Sequence, residues 1–194
     1  MVIGIGIMFF LGNCGKKAMY EKMVSQGIES GERHDSLFLG LWLGMTSEEF
    51  YKQCWELNKQ GLIRQGDGNT SVLYELDGEL KAVVDVNFYP TFFNDKVYEM
   101  PVKFNYKAWA PWNPQFSKDT LHLELVKLFE KWYGNGFMEV THTDKGKAFV
   151  KIDGNRRISL YKNKNVDGIV WALYTDMSMQ KEVEAAKDTI PQLK

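Results

Sequence analysis

Apolar and polar positions along this chain change period several times, and each change predicts an element. Thr46-Ser47-Glu48-Glu49 forms a capping box, in which the Thr46 hydroxyl takes the Glu49 amide and the Glu49 carboxylate reaches back. A helix follows to about Gln60, with Phe50, Cys54 and Leu57 on one face and Gly61 as its left-handed stop. The period then drops to two. SVLYEL and ELKAVVDVNFY flank Asp77-Gly78, a pair suited to a two-residue hairpin loop. Beyond Asn94-Asp95, residues Tyr98, Met100, Val102, Phe104 and Tyr106 share a face while Pro101 points the other way. That is the pattern of a half-buried strand at a sheet edge, where a missing amide is tolerated.

The order then repeats. Ser117 caps a helix whose Leu121, Leu125, Leu128, Phe129 and Trp132 make an apolar stripe, with His122 turned to solvent and Gly134 closing the end. FMEVTHT, KAFVKI, RRISLYK and GIVWALYT read as three or four strands, with turns at Asp153-Gly154 and Asp167-Gly168. A short helix over Ser178–Lys187 ends the chain on Met179, Val183 and Ala186. Helix-then-strands, twice, predicts an α+β body over 37–194: an antiparallel sheet with helices on one face, in tandem halves of about 37–107 and 108–194. No residue-level repeat links the halves.

The opening changes the compartment. Val2 to Leu11 is apolar or glycine throughout. Such a run is too short to span a bilayer, which needs about 20 residues, and it fits the apolar core of a signal peptide. A buried N-terminal strand is the alternative, weakened by three glycines in the first twelve residues. Leu11-Gly12-Asn13-Cys14, followed by polar residues, resembles the lipobox of bacterial lipoproteins. The resemblance implies removal of residues 1–13, lipid attachment at Cys14 and a membrane as first partner. It departs from the usual pattern in lacking a basic residue before the apolar run and in placing Asn13 ahead of the cysteine. Residues 14–36 then read as lipid anchor and tether, with a short helix over Lys16–Gln26. Cys54 is expected as a buried, inert thiol, a Cys14–Cys54 disulfide being the other possibility.

Gly44-Met45-Thr46 with Glu48, then a helix and antiparallel strands, resembles small bacterial envelope lipoproteins with a helix-then-sheet fold. The small lipoprotein of the outer-membrane barrel-assembly machinery is one, and the tandem β-lactamase-inhibitor proteins are similar. The wider chain also resembles envelope lipoproteins of Bacteroidota-type bacteria. These likenesses imply an α+β fold and a periplasm-facing envelope location, and no activity.

Composition narrows the chemistry. Aromatics at 14% argue against disorder, and Lys+Arg 24 against Asp+Glu 25 leaves a net charge of −1 with no basic block for nucleic acid. His34, His122 and His142 are far apart, and His142-Thr143-Asp144 reads as turn chemistry rather than a metal pair. No nucleophile elbow and no phosphate loop is present, so neither catalytic residue, metal nor cofactor is assigned. Asp85 alternates with Val84, Val86 and Phe88 and is expected to face water. Trp109 and Trp112, flanking Ala110-Pro111, could stack on a sugar, anchor a protein partner or plug the sheet end. Arg156 and Arg157 follow a tight turn, alternate in direction, and offer an ion pair or an anion site. The favoured expectation is a non-catalytic interaction lipoprotein that contacts another envelope protein. A small-ligand or glycan binder using Trp109 and Trp112 is the alternative, and a hydrolytic enzyme the third choice.

Overall fold

The computed structural model describes residues 14–66, 68, 70–142, 146–163 and 165–189. The signal-peptide reading of residues 1–13 and the side chain of Cys14 lie outside the described residues. In chain order the elements are α1 (Cys14–Glu29), α2 (Ser47–Lys59), β1 (Ile63–Gln65), β2 (Val72–Leu76), β3 (Val84–Phe88), β4 (Thr91–Phe93) and β5 (Lys96–Tyr106). A 3-10 turn (Pro114–Phe116) leads to α3 (Lys118–Tyr133), β6 (Met138–His142), β7 (Gly146–Asp153), β8 (Arg156–Lys162) and β9 (Ile169–Asp176). A second 3-10 turn (Met177–Met179) enters α4 (Gln180–Thr189). The class is α+β: among the described residues, four helices pack against a nine-stranded antiparallel open sheet. Among the described residues no helix is long and apolar enough to cross a membrane.

The strands form one sheet in the order β1-β2-β3-β5-β9-β8-β7-β6, with β4 also on β5. The two runs of strands therefore meet at β5–β9. This places β5 in the interior of the sheet, not at its edge. Pro101 is tolerated there because it falls where the neighbour on one side changes from β4, paired as far as Glu99, to β3, paired from Val102. A missing amide breaks least at such a gap.

Turn chemistry also differs from expectation at Asp77-Gly78. Leu76 pairs with Val84, so residues 77–83 form a longer connection, and Leu80 and Ala82 pack on the core. The tight hairpin is at Asn94-Asp95, where both residues adopt positive φ (49° and 58°) and Phe93 pairs with Lys96. Positive φ at both central positions matches the strand twist.

Alternation fixes the faces. Met100, Val102 and Phe104 on β5 stand beside Tyr174, Ala172 and Val170 on β9, and all six are buried. Over this face α3 lays Leu121, Leu125, Leu128 and Phe129, and α2 adds Phe50. Phe129 stacks on Tyr174 with centroids 6.0 Å apart and meets Phe104 edge-on at 5.9 Å. Helix α1 takes the opposite face. Its Tyr20 hydroxyl accepts from Arg157 Nη1 at 3.0 Å, and Gly27 lies against Ile152 and the Gly154 carbonyl. Helices thus cover both faces rather than one.

Cys14–Glu29 is helical, longer than the expected segment, and 32–36 is stitched to the β7–β8 turn. Asn155 N–H donates to the Glu32 carbonyl, His34 N–H to Asn155 Oδ1 at 2.7 Å, and Asn155 Nδ2 to Asp35 at 2.8 Å.

Candidate functional site

A cavity of about 600 Å³ opens on the core face beside the C-terminal end of α3. Leu76, Val86 and Phe104 form its floor from three adjacent strands, and Phe38 with Leu39 on the 37–41 loop supplies one wall. Trp132 and Tyr133 come down from the last turn of α3, while Tyr174 and Arg156 close the far side from β9 and β8. Size and lining suit a small-molecule pocket, mostly apolar with a few converging polar groups.

Those polar groups are held in place. Tyr133 donates its hydroxyl hydrogen to the Leu37 carbonyl at 3.0 Å, so the Tyr174 hydroxyl, 3.0 Å away, donates to Tyr133. Burial pushes the Tyr133 phenol up to about 12 and Tyr174 well above its usual range, so both stay neutral hydroxyls. The Arg156 guanidinium lies over the Tyr133 ring, 4.9 Å from its centroid. One Arg156 nitrogen donates to the Ser36 carbonyl and another to Asp153 Oδ2 at 3.0 Å.

Arg156 is only 6% exposed, yet its Nε is enclosed with no hydrogen-bond partner among the described residues. An unmet buried donor costs about 1–3 kcal/mol. Lys151 and Arg156 share the carboxylate of Asp153, while Arg33 bonds both Asp35 and Asp176, so three cations meet three carboxylates. Burial works to raise the Asp153 carboxyl, but hydrogen bonds from Lys151 and Arg156 hold it below the usual carboxylate range. The nearby carboxylates are committed elsewhere: Arg33 bonds both Asp35 and Asp176, and Asp176 also accepts from the Ser178 amide and hydroxyl. Glu79, which also lines the cavity, is paired with Lys131 at 2.8 Å, whose hydrogen bond lowers its carboxyl.

The sequence-predicted residues are not brought together. Arg156 reaches the cavity, and Arg157, one position along, points to the other face and docks α1. Trp109 and Trp112 sit beyond the opposite end of α3. Trp109 rests on Gly168 in the β8–β9 connection and keeps 37% of its surface exposed. Trp112 occupies the tip of a turn closed by Asn113 N–H to the Ala110 carbonyl, with Pro111 before it, and is 83% exposed. Trp112 is therefore no plug for the sheet end.

Histidine positions diverge too. His122 is buried rather than solvent-facing, with Nε2 3.3 Å from the Leu160 carbonyl and its ring against Phe149. His34 lines the cavity beside Ser36. Thr143 and Asp144 lie outside the described residues, so the His142 turn is not assigned. Asp85 sits on the face opposite Val84, Val86 and Phe88, as alternation requires, but its Oδ1 is enclosed without a partner among the described residues. Burial pushes the Cys54 thiol up to about 11, which makes it a poor nucleophile at neutral pH.

Tyr74, Glu79, Tyr133 and Tyr174 escaped sequence reasoning. Phe38, Tyr74 and Tyr174 carry no motif, and only the sheet register brings β2 and β9 under one helix end. Among the described residues no three His, Cys, Asp or Glu side chains cluster as a metal site. Comparison with known protein families, curated proteins and solved structures finds no match for this chain.

Proposed function

We propose that this protein is a binding protein whose ligand is a small, largely apolar molecule held in the cavity under the end of α3. The observation that carries the reading is the cavity itself: about 600 Å³, walled by Phe38, Leu76, Val86, Phe104 and Trp132, with a buried arginine at one side. Catalysis is not part of it. What supports binding over catalysis is that the Tyr133 and Tyr174 hydroxyls are held neutral by burial, the Arg156 guanidinium is permanently charged and Glu79 is paired with Lys131. The lipobox-like Leu11-Gly12-Asn13-Cys14 supports an envelope setting, with the body anchored through Cys14. Its architecture is read as two helix-then-strands halves joined side by side through β5 and β9.

Titration with the neutral apolar dye N-phenyl-1-naphthylamine tests the reading. Wild type should enhance its fluorescence saturably at one site per chain, and Val86→Phe, which fills the cavity floor, should abolish the enhancement while remaining folded. No enhancement by wild type, or equal enhancement by both, would sink the proposal.

A second reading rests on a separate observation, the 83% exposure of Trp112 at a proline-stiffened turn. Exposed tryptophan is favoured at protein interfaces, so this tip is where another envelope protein would engage. Loss of a cross-linked partner on Trp112→Ala, with dye binding intact, would support it, and an unchanged cross-linking pattern would refute it.

A further inference from the structure

We infer that Leu39 limits the size of the ligand, its side chain being the wall against which the apolar body of an uncharged molecule packs. The inference rests on the cavity-binding reading above and adds the residue that decides which apolar molecules fit.

Backbone geometry singles Leu39 out. The turn over 38–41 is closed by Leu41 N–H, which donates to the Phe38 carbonyl at 2.9 Å. Its two central residues, Leu39 and Gly40, have φ of 52° and 71°. Two positive φ values fit a type I′ turn, whose central positions belong to Asn, Asp or Gly. Gly40 obeys that rule and Leu39 breaks it. Among the described residues the other non-glycine positions with positive φ are Asn94 and Asp95, which suit the conformation. A leucine held there is strained, and strain of this kind gathers at ligand clamps.

The bonds that hold the turn ask nothing of the leucine side chain. Leu37 N–H donates to the Leu41 carbonyl at 2.9 Å, Gln53 Nε2 donates to the Leu39 carbonyl at 2.8 Å, and Ser36 bridges Trp42. All run to main-chain atoms of the turn, so glycine at 39 would keep them and relieve the strain. Core packing here belongs mainly to Phe38, whose ring meets Phe88 edge-on at 5.0 Å and lies 5.8 Å from Tyr174. Leu39 stays half-buried at the margin of the core and lines the cavity. What its side chain adds is apolar surface in the lining it shares with Leu76, Val86 and Phe104. Ligand charge has no part in that contact. Arg33, Lys151 and Arg156 are matched by Asp35, Asp153 and Asp176, and Glu79 by Lys131, so an uncharged molecule leaves every pair intact.

Displacement of bound N-phenyl-1-naphthylamine by 1-alkanols, from hexanol to tetradecanol, measures the size limit. In wild type affinity should rise about fourfold for each added carbon and then stop rising at a cut-off length. Leu39→Gly and Leu39→Ala both remove the wall and should move the cut-off longer by at least two carbons. Leu39→Phe thickens the wall and should move it shorter by at least two. Leu39→Gly also frees the backbone, so its urea midpoint should lie above that of Leu39→Ala although it carries less side chain. A wild type without a cut-off, or a cut-off unmoved in the folded variants, would overturn the inference and leave the cavity reading intact. A shift in Leu39→Ala that Leu39→Gly does not share would trace to a weakened turn and overturn it too, as would a lower midpoint for Leu39→Gly. Should the two smaller variants not fold, the shift in Leu39→Phe decides. Failure of the dye to bind wild type would instead remove the cavity reading on which the inference rests.

Discussion

Tyr133 and Tyr174 share a hydrogen bond of 3.0 Å in which Tyr133 is the acceptor, because its own hydrogen is given to the Leu37 carbonyl. The pair ties three distant parts of the chain, the 37–41 loop, the end of α3 and β9, along one wall of the cavity. The direction of the chain of donors predicts an asymmetry. Tyr133→Phe strands both the Leu37 carbonyl and the Tyr174 hydroxyl hydrogen and should cost about 1–3 kcal/mol. Tyr174→Phe removes a donor and strands nothing that must donate, so it should cost about 0.5–1.5 kcal/mol. Urea unfolding of the two variants and their double mutant checks the order, and a larger loss for Tyr174→Phe would reverse the assignment.

Acid should weaken the fold through His122. Burial lowers this imidazole below its ordinary 6.5, outweighing the contact with the Leu160 carbonyl. Its contribution is therefore full above pH 6.5. As pH falls below that value the unfolded chain takes up a proton that the folded chain refuses, and stability drops by at most about 1.4 kcal/mol per pH unit. Urea midpoints between pH 7.5 and 5 should decline for wild type and decline less for His122→Phe. Parallel slopes would mean that His122 is not kept neutral by the fold.

Local patterns were legible in the sequence where a few adjacent residues decide the outcome. The Thr46 capping box is present as read, Glu49 N–H donating to the Thr46 hydroxyl at 3.2 Å and Thr46 N–H to the Glu49 carboxylate at 2.8 Å. The four strands after α3 and the opposed directions of Arg156 and Arg157 also follow from period alone. What depends on partners far along the chain was not legible. Nothing near Pro101 says that β9 arrives on its free side, and nothing near His122 says that Phe149 and Leu160 will cover it. The same holds for the candidate site. Arg156 was readable as a candidate, but its cavity needs loop 37–41, β2, β3 and β9 in register, and no short motif encodes that meeting.

Removing the capping box tests the part that was legible. Thr46→Ala deletes the acceptor for the Glu49 amide at the start of α2 and should destabilise by about 1 kcal/mol. Thr46→Ser keeps the oxygen and should recover most of the loss in a thermal melt.

Trp109 and Trp112 should behave oppositely despite lying three residues apart. Gly168 has φ of 73°, and a β-carbon there would sit 2.7 Å from the Trp109 indole. Gly168→Ala therefore meets both backbone strain and a collision and should cost more than about 1 kcal/mol, shifting Trp109 emission as the ring is displaced. Trp112→Ala removes a ring that is 83% in solvent and should stay within about 0.5 kcal/mol of wild type. Comparable losses in denaturant would contradict the placement of the loop.

Gly27 gives the sharpest test of how α1 is held. In a free helix Gly→Ala is favourable by about 0.5–1 kcal/mol, so a tether helix standing clear of the body would gain from the change. Here a β-carbon on Gly27 would lie 2.7 Å from the Gly154 carbonyl oxygen and 3.0 Å from Ile152 Cγ2. Backbone cannot give way as a flexible side chain does, so Gly27→Ala should push α1 off the β7–β8 hairpin and break the Tyr20–Arg157 hydrogen bond. None of the described α1 side chains belongs to the main core cluster, and the urea midpoint should move little. The effect should appear instead as local opening, with amides of residues 17–29 exchanging at least tenfold faster while those of β5 and β9 keep their protection. Slower exchange across α1 in the variant would mean that the helix gains its intrinsic propensity unopposed and does not dock on the sheet at all.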